Sequence, residues 1–284
     1  MALRIFTNLS SLSAQKSLEY NRAQLGKSIS RVASGERIFS SADDGAGLSI
    51  TESLRSDVRT LKQGVRNIGD GLSLVNTAEG ALNEQSSILI RLRELASQSA
   101  TGTIGQTERE TLNLEFTALV SELDRIANTT EFNGQKLVDG SLASGSPSGE
   151  LILQVGLDAR DENRFNLNQE LDLTAVTSVS LGINDDSIST GGSALTALGA
   201  LTAALDSVIK IRGRVGAVTN RLGNALNNAN SAIENLNSAV STIRDADLAE
   251  EVAQLTKNQI LVQAASSMVG QANLIPQSVL TLLQ

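Results

Sequence analysis

The sequence contains neither cysteine nor histidine. Without these side chains the chain can form no disulfide framework, and it has no thiolate nucleophile, no imidazole base and none of the usual ligand sets of a zinc site. A metalloprotease motif of the form His-Glu-x-x-His is excluded for the same reason. These absences argue against an enzyme, and we expect no catalytic residue, no metal and no cofactor.

Aromatic residues are almost as scarce, at 2% of the chain, with no tryptophan, one tyrosine and five phenylalanines. Compact globular cores usually take much of their burial from large rings. The apolar 40% of this chain is instead mostly leucine, isoleucine, valine and alanine, the mixture that fills seams between long helices. The composition therefore favours an extended, mainly α-helical architecture.

Excess positive charge and long apolar runs are also missing. The formal net charge is −8 and the sequence pI is about 4.8, which leaves no basic footprint for nucleic acid or anionic lipid. The N-terminal stretch MALRIFTNLSSLSAQKSLEY lacks the unbroken apolar segment of a secretory signal peptide. No run approaches the roughly 20 apolar residues of a membrane-spanning helix. We expect no nucleic-acid partner and no membrane insertion.

The strongest positive pattern is a heptad repeat that predicts a helix from about Ala46 to Ser99. Apolar residues recur at strict intervals of seven, and a second row follows at the spacing typical of a coiled coil. The first row is Leu54, Leu61, Ile68, Val75, Leu82, Leu89 and Ala96, and the second is Val58, Val65 and Leu72.

Four glycines interrupt this predicted helix, namely Gly64, Gly69, Gly71 and Gly80. Each costs up to about 1 kcal/mol relative to alanine inside a helix, so monomer stability does not explain them. They would permit close helix approach and small sliding between copies of the chain. The alternative is that some of them merely lie on a crowded internal face.

Beyond the long helix, the pattern predicts a second helix, a β-rich insert and a returning helix. Thr107 and Glu110 have the spacing of a capping box at the start of the second helix. The insert contains three strand-like pieces, LILQVG, NRFNLN and AVTSVSLGI, between turn-forming clusters. Helical periodicity then resumes from Leu205 to Ile243. The predicted fold is a long antiparallel helical hairpin or coiled-coil bundle with a small β-hairpin insert.

Both ends of the chain carry heptads, the N-terminal one weaker than the C-terminal one, and these predict terminal helices that pair as an inner coiled coil. After Glu251 the only charged side chain is Lys257, fewer charges than a solvent-facing helix carries. A two-helix pair has too narrow a core to be stable alone, so we expect further burial to come from other copies of the chain. The predicted seam residues are Leu18, Leu25 and Val32 at one end and Leu248, Leu255, Val262 and Val269 at the other.

The stretch RVASGERIFSSADDGAGLSITESL joins the first terminal helix to the long helix. Gly35 permits a chain reversal, and Gly45 and Gly47 permit close backbone approach. Asp43 or Asp44 can cap the next helix. Two adjacent carboxylates supply too few oxygens for calcium, and DDGAG lacks the Gly-Lys-Ser/Thr ending of a phosphate-binding loop. Capping is therefore the favoured interpretation of the acidic pair, and an ordinary surface loop is the alternative for the joint as a whole.

Short motifs follow one another along both ends of the chain. Before the insert they are SLSAQKSL, SISRVASGERI, SADDGAGLSI, GLSLVNTAEGALNE, RLRELASQSA and LDRIANTTEFNG. After the insert they are AIENLNSAVSTIRDADLAEEV, TKNQILVQAASSMVGQAN and IPQSVLTLL. In this order they resemble the motifs of bacterial flagellin, the subunit of the flagellar filament. The short middle resembles a minimal form of that family without large outer variable domains.

The resemblance implies a domain organisation. The terminal segments would pair as the inner coiled-coil domain that lines the filament channel, and the joint near residues 33–47 would be the spoke between inner and outer tubes. The implied segments are 1–44 and 245–284 for the inner domain, 45–138 and 193–244 for the helical core domain, and 139–192 for the β-rich insert.

The resemblance also implies function, location and partners. The function would be that of a structural subunit that polymerises into the filament for swimming motility, and the alternative is the hook–filament junction protein. The chain would be exported through the flagellar type III apparatus and lie outside the cell in the flagellum. The implied partners are further copies, an export chaperone, the filament cap and hook-junction proteins, and an animal innate immune receptor.

Three positions match those that the family uses for axial subunit packing and for recognition of the free monomer by that receptor. They are Arg91, Leu95 and Glu115. For the motif RLRELASQ, which contains the first two, a solvated charged face beside a leucine stripe is the simpler alternative.

Overall fold

The computed structural model describes residues 8–146 and 150–282, with side chains described as far as residue 274. Residues 1–7, 147–149 and 283–284, which fall in the predicted segments 1–44, 139–192 and 245–284, lie outside the described residues. Long helices dominate, so the mainly helical prediction is confirmed. The helices are α1 (Leu9–Ser34), α2 (Gly45–Ala100), α3 (Gln106–Thr129), α4 (Leu167–Leu171), α5 (Ser178–Leu181), α6 (Gly191–Arg244) and α7 (Leu248–Leu282).

In the part of the chain that the structure describes, four short strands form two separate antiparallel hairpins. In the first, Asn133 and Gly134 occupy the turn with φ of 52° and 79°, the left-handed values that a two-residue hairpin turn requires. In the second, Leu153 pairs with Phe165. The strands are β1 (Glu131–Phe132), β2 (Gln135–Lys136), β3 (Ile152–Gln154) and β4 (Arg164–Asn166).

The chain divides into two compact units, each built from both halves of the sequence. The first unit comprises residues 1–56 and 234–284, and the second comprises residues 57–233. Helices α2 and α6 contribute residues to both units.

The core of the second unit is one hydrophobic cluster from α2, α3, α6 and the insert. The first heptad row of α2 is fully buried from Ile68 through Leu89, and α3 contributes Phe116, the largest buried side chain. Helix α6 contributes small residues such as Ala194 and Ala197, which leave room for the leucines of its neighbours. This arrangement explains how the core forms with so few aromatic rings.

Helix α2 matches its prediction to within one residue at each end, whereas the predicted start of α3 is wrong. Helix α3 begins at Gln106 with Gly105 in the N-cap position, and no side chain caps it. The backbone N–H of Arg109 donates to the carbonyl oxygen of Gly105 at 3.2 Å. The first turn therefore closes before Thr107 can act as a cap.

The third strand-like piece of the insert, AVTSVSLGI, is also wrong as a strand. It contains α5, because the Thr177 hydroxyl accepts a hydrogen bond from the Ser180 N–H and Gly182 ends the turn with φ of 70°. Asp124 of α3 fixes this turn, since its carboxylate accepts from the Ser178 N–H and hydroxyl, both at 2.6 Å. Local capping thus overrides the β-branched pattern.

A buried glutamine holds the insert against the helices. The Gln85 side-chain amide donates to the carbonyl oxygens of Leu123 at 3.3 Å and Val176 at 2.9 Å. Farther along α2, the buried Ser99 hydroxyl donates to the Ile188 carbonyl at 2.5 Å. These polar residues satisfy backbone carbonyls that would otherwise be costly to bury.

The expectation that no run is apolar enough to span a membrane is wrong by length and composition. Among the described residues, α6 is long enough to cross a membrane and contains an 18-residue window with a mean hydropathy of 1.5. Its alanines and leucines raise the hydropathy, and they also supply its face of the core, as the fully buried Leu201 illustrates.

Candidate functional site

Helices α1 and α7 pack against each other as the terminal pair. On α1, Leu18, Leu25 and Val32 lie half-buried on one stripe, and their flanking residues are mostly exposed. On α7 the corresponding residues are Leu255, Val262 and Val269. These six residues form the apolar row of the terminal pair.

Leu248 does not belong to this row, so the structure corrects the sequence on that position. It is 54% exposed and is the first residue of α7. Its counterpart in an antiparallel pair would lie beyond Ser34, where α1 has already ended. The heptad repeat of α7 includes Leu248, but α1 has no helical residue opposite it.

The most deeply buried side chains in the described part of the pair are Ser11, Ser28, Asn258 and Ala272. The Asn258 side-chain amide donates to the Ser28 hydroxyl at 2.9 Å, and the Ser11 hydroxyl donates to Asn273 Oδ1 at 2.7 Å. Neither polar contact was predicted from the sequence. For Ser28 and Asn258 the signal was the recurrence of small or polar residues at the second heptad position of both helices, whereas Ser11 replaces an apolar residue one heptad before Leu18.

Large apolar side chains line the outer faces of the same two helices. They are exposed in the single chain, although each would gain about 1.5–3 kcal/mol from full burial. On α1 they are Leu9, Leu12, Tyr20 and Ile29, and on α7 they are Leu248, Val252, Ile260, Leu261, Met268 and Leu274. The terminal pair is therefore polar at parts of its seam and apolar on its outside.

The joint between α1 and α2 is tied to the joint between α6 and α7. Gly35 ends α1 in the left-handed conformation, with φ of 72°, and its carbonyl oxygen accepts from the Ala246 N–H at 2.9 Å. The Arg37 N–H donates to the carbonyl of Arg244 at 2.7 Å. These bonds hold the start of α7 beside the end of α1.

Arg244 is the central side chain of this joint, a role that was not predicted from the sequence. Its guanidinium donates to Glu52 at 2.7 Å and Glu36 at 2.9 Å, and its side chain is 13% exposed. The hydrogen bond from Arg244 holds the pKa of Glu52 below its ordinary value. One arginine thus links the end of α6 to the joint and to α2.

The acidic pair divides into two roles. Asp44 caps α2, because its Oδ1 accepts from the Gly47 N–H at 2.9 Å. Asp43 instead accepts from the hydroxyl and N–H of Ser40, and the hydroxyl bond is the main cause of its lowered pKa.

The two glycines after this pair differ as well. A Cβ on Gly47 would lie 2.5 Å from Asp44 Oδ2 and 2.8 Å from Ile38 Cδ1, whereas a Cβ on Gly45 would meet nothing within 4 Å. Gly47 therefore admits the buried Ile38 against α2.

Arg91 and Glu115 form an exposed ion pair between α2 and α3. The Arg91 guanidinium donates to Glu115 at 2.7 and 3.0 Å and to Glu94 at 3.1 Å. Leu95, the third residue predicted for this surface, has no exposed area. It lies on the core side of α2 with Leu92 and Ala96, so in this structure it is a core residue and a surface partner cannot contact its side chain.

The four glycines of α2 fall into two classes. A Cβ on Gly64 would overlap the carbonyl oxygen of Val155, and one on Gly71 would overlap Leu153 Cδ1. Between them, the Asn67 side-chain amide donates to the Gln154 carbonyl at 2.9 Å. Gly64 and Gly71 therefore receive the β3 segment, whereas Gly69 and Gly80 have nothing within 4 Å of an added Cβ.

Within the described ranges, no group of three or more acidic side chains is arranged to hold a metal ion. The features that stand out are extended helical surfaces and the joint.

Comparison with known proteins gives one consistent result. Residues 5–143 match the family described as the bacterial flagellin N-terminal helical region, and residues 198–283 match its C-terminal helical region. The chain is 40% identical to a flagellin of Halalkalibacterium halodurans, over 98% of each chain. It is 38% identical to the flagellar filament 30.7 kDa core protein of Treponema maltophilum, over 97% of this chain and 98% of that protein.

A solved structure of a protein assigned as flagellar hook-associated in Vibrio parahaemolyticus has a TM-score of 0.56 and 14% identity. The match covers 72% of this chain and all of the other. At that identity the similarity shows the fold alone.

Proposed function

The chain belongs to the bacterial flagellin family and is a structural subunit of the extracellular flagellar filament, and we propose that α1 and α7 supply its principal contacts with other copies. The protein is a structural component of motility and not an enzyme. The observation that carries the proposal is the inverted polarity of the terminal pair. Its deepest described side chains are small or polar, its leucine and valine row is only half-buried, and further large apolar side chains point outward.

Burial of these outer residues has the magnitude that association requires. If about six of the ten become buried between subunits, at about 1.5–3 kcal/mol each, they would supply about 9–18 kcal/mol. Loss of translational and rotational freedom on association costs about 4–15 kcal/mol. The two ranges overlap, as expected for a subunit that is soluble alone and polymerises on a growing end.

A seeded growth assay tests this proposal. Replacement of Leu12 and Ile260 by serine should slow elongation from filament seeds at least about tenfold, because both exposed residues would lose their burial in the polymer. Val179→Ser is the matched control, since Val179 is 73% exposed and lies in the insert. Unchanged elongation by the double variant would contradict the proposal. A wild-type chain that binds seeds without elongating them would instead indicate a junction protein.

We propose the domain assignment that the resemblance implies. Residues 1–44 and 245–284 form the inner domain and the joint near residues 33–47 is the spoke. The helical core is 45–138 with 193–244, and 139–192 is the insert. The first compact unit includes more of α2 and α6 than this inner domain does, as far as residues 56 and 234. Ion pairs of Arg244 with Glu36 and Glu52 within that unit support a rigid spoke.

We further propose export through the flagellar type III apparatus, with the N-terminal segment as signal and a chaperone on α7. The exposed apolar face of α7, with Lys257 as the only charge after Glu251, supports a need for protection before assembly. Contacts with the cap and hook-junction proteins would use the same helices. Deletion of residues 2–30 should leave the chain inside the cell, and normal secretion of that variant would contradict the assignment.

For Arg91 and Glu115 we propose axial contact with a neighbouring subunit and, in the free monomer, recognition by an animal innate immune receptor. The pair is about half exposed on adjacent helices, which makes it available to a partner. Arg91→Ala should weaken receptor binding by the monomer and slow filament growth. Lys136→Ala, at another exposed ion pair, is the control.

A further inference from the structure

The seam of the terminal pair contains a second row of residues that are small or polar. On α1 this row includes Ala14, Asn21 and Ser28, all at least partly buried. On α7 it includes Asn258 and Ala265. Ser28 and Asn258 are each only 4% exposed and are hydrogen-bonded to each other. The row is therefore distinct from the leucine and valine row beside it.

An apolar heptad row does not define how two helices align. Sliding α7 along α1 by one heptad, about 10.5 Å at 1.5 Å per residue, would again place leucine and valine opposite leucine and valine. In that slipped pairing Ser28 would face either Ala265 or Glu251. Opposite Ala265, the serine would lose its hydrogen-bond partner. Opposite Glu251, a carboxylate would enter the seam. Both changes are unfavourable in a buried position.

We propose that two hydrogen-bonded pairs, Ser28 with Asn258 and Ser11 with Asn273, set the antiparallel register of α1 and α7. A third contact favours the same register, because Arg31 lies 3.1 Å from Glu251 at the edge of the seam. The two hydrogen-bonded pairs lie near opposite ends of the helices, and a heptad slide in either direction breaks both. Buried polar residues are known to select register in coiled coils.

Register matters here because it fixes the relative position of the outer apolar faces. A one-heptad slide would displace Ile260 and Met268 of α7 by about 10.5 Å relative to Leu12 and Ile29 of α1. A helical lattice repeats one subunit contact, so a slipped chain would not match its neighbours. This part of the inference rests on the proposed role of the terminal pair in assembly.

The absence of cysteine makes disulfide trapping a direct readout. Asn21→Cys with Ala265→Cys reports the observed register, because these positions lie one heptad from Ser28 and Asn258 on their helices. Asn21→Cys with Ala272→Cys reports the one-heptad slip in which residue 28 faces Ala265. Both reporters are introduced into the full chain and oxidised as soluble subunits, and intramolecular bonds are separated from dimers by non-reducing electrophoresis.

With the native seam, the first reporter should cross-link at least about tenfold more than the second. Replacing Ser28 by Val and Asn258 by Leu should raise the slipped cross-link at least about fivefold. The matched control is Ser30→Val with Gln259→Leu, which makes one identical and one closely similar change at exposed positions and should leave the ratio unaltered. An unchanged ratio in the seam variant would overturn the inference.

A swap variant, Ser28→Asn with Asn258→Ser, keeps one hydrogen-bonded pair and should restore the native ratio, whereas slipping in it would overturn the inference. Seed elongation is measured on the same seam variants without cysteines. Slipped chains that elongate seeds normally would overturn the link between register and assembly. Failure of the wild-type chain to elongate seeds would count against the proposed function, while the cross-linking ratio would still decide the register.

Discussion

Replacing Gly64 by alanine should destabilise the chain, although alanine is the better helix former. Gly64 lies inside α2, and an added Cβ would overlap the carbonyl oxygen of Val155 and lie 3.1 Å from its carbonyl carbon. Both atoms belong to backbone just after β3, which cannot rotate away as a side-chain end can. Gly69, on the same helix, has nothing within 4 Å of an added Cβ. The same substitution at the two positions therefore separates helix propensity from overlap.

The expected magnitudes follow from these two terms. Alanine in place of glycine should gain up to about 1 kcal/mol at Gly69. At Gly64 the same gain is opposed by overpacking, which typically costs about 1–3 kcal/mol. We therefore expect Gly64→Ala to be less stable than Gly69→Ala by about 1–3 kcal/mol. Gly71→Ala should fall between them, because it meets the end of the Leu153 side chain.

Urea unfolding of the purified monomer, followed by far-ultraviolet circular dichroism, measures the difference. Amide exchange at Leu153 and Val155 should also accelerate in Gly64→Ala, since the β3 segment must move. Equal stabilisation by Gly64→Ala and Gly69→Ala, with unchanged exchange in β3, would refute the reasoning.

Three further predictions concern the joint, the open glycines and the exposed ion pair. Glu52→Gln should reduce stability at neutral pH, because Arg244 lowers the folded-state pKa of Glu52. The stabilisation from Glu52 is present above its unfolded-state pKa and is lost as pH falls through its folded-state pKa. The stabilities of wild type and variant, measured by unfolding from neutral to acid pH, should therefore converge. Gly69→Ala should straighten the filament or alter its waveform if the open glycine permits sliding between subunits, and electron microscopy showing unchanged waveform would contradict that role. Arg91→Ala should leave monomer stability nearly unchanged, because the ion pair is exposed and screened by solvent, and thermal unfolding that shows a clear loss of stability would contradict its assignment as a contact residue.

The sequence predicted α2 well because its first heptad row is continuous. Helix α2 was located almost to the residue, since Asp44 caps it and its first apolar row runs without a break from Leu54 to Ala96. The helical periodicity predicted from Leu205 missed the start of α6 at Gly191, because small residues such as Ala194 and Ala197 form its buried face there. Elements set by short-range capping were predicted less well. The α5 turn depends on Thr177, Gly182 and a distant carboxylate on α3, and periodicity does not reveal such a contact.

The candidate site was predicted in outline but not in its polar detail. The apolar row was visible as a repeat, whereas the partners of Ser28 and Arg244 lie far away in sequence. Leu95 shows the opposite error, because a motif match placed on the surface a residue that the fold buries. The two classes of glycine in α2 could be separated only once β3 was located beside Gly64 and Gly71.

Amide hydrogen exchange of the dilute monomer and the assembled filament tests the central claim most directly. The deepest side chains in the described part of the terminal pair are Ser11, Ser28, Asn258 and Ala272, so the isolated pair should open readily. We predict fast exchange across α1 and α7 in the monomer and slow exchange in the filament, with α2 protected in both. Strong protection of residues 252–269 in dilute monomer, with no increase on assembly, would contradict the claim that other copies complete the burial of these helices.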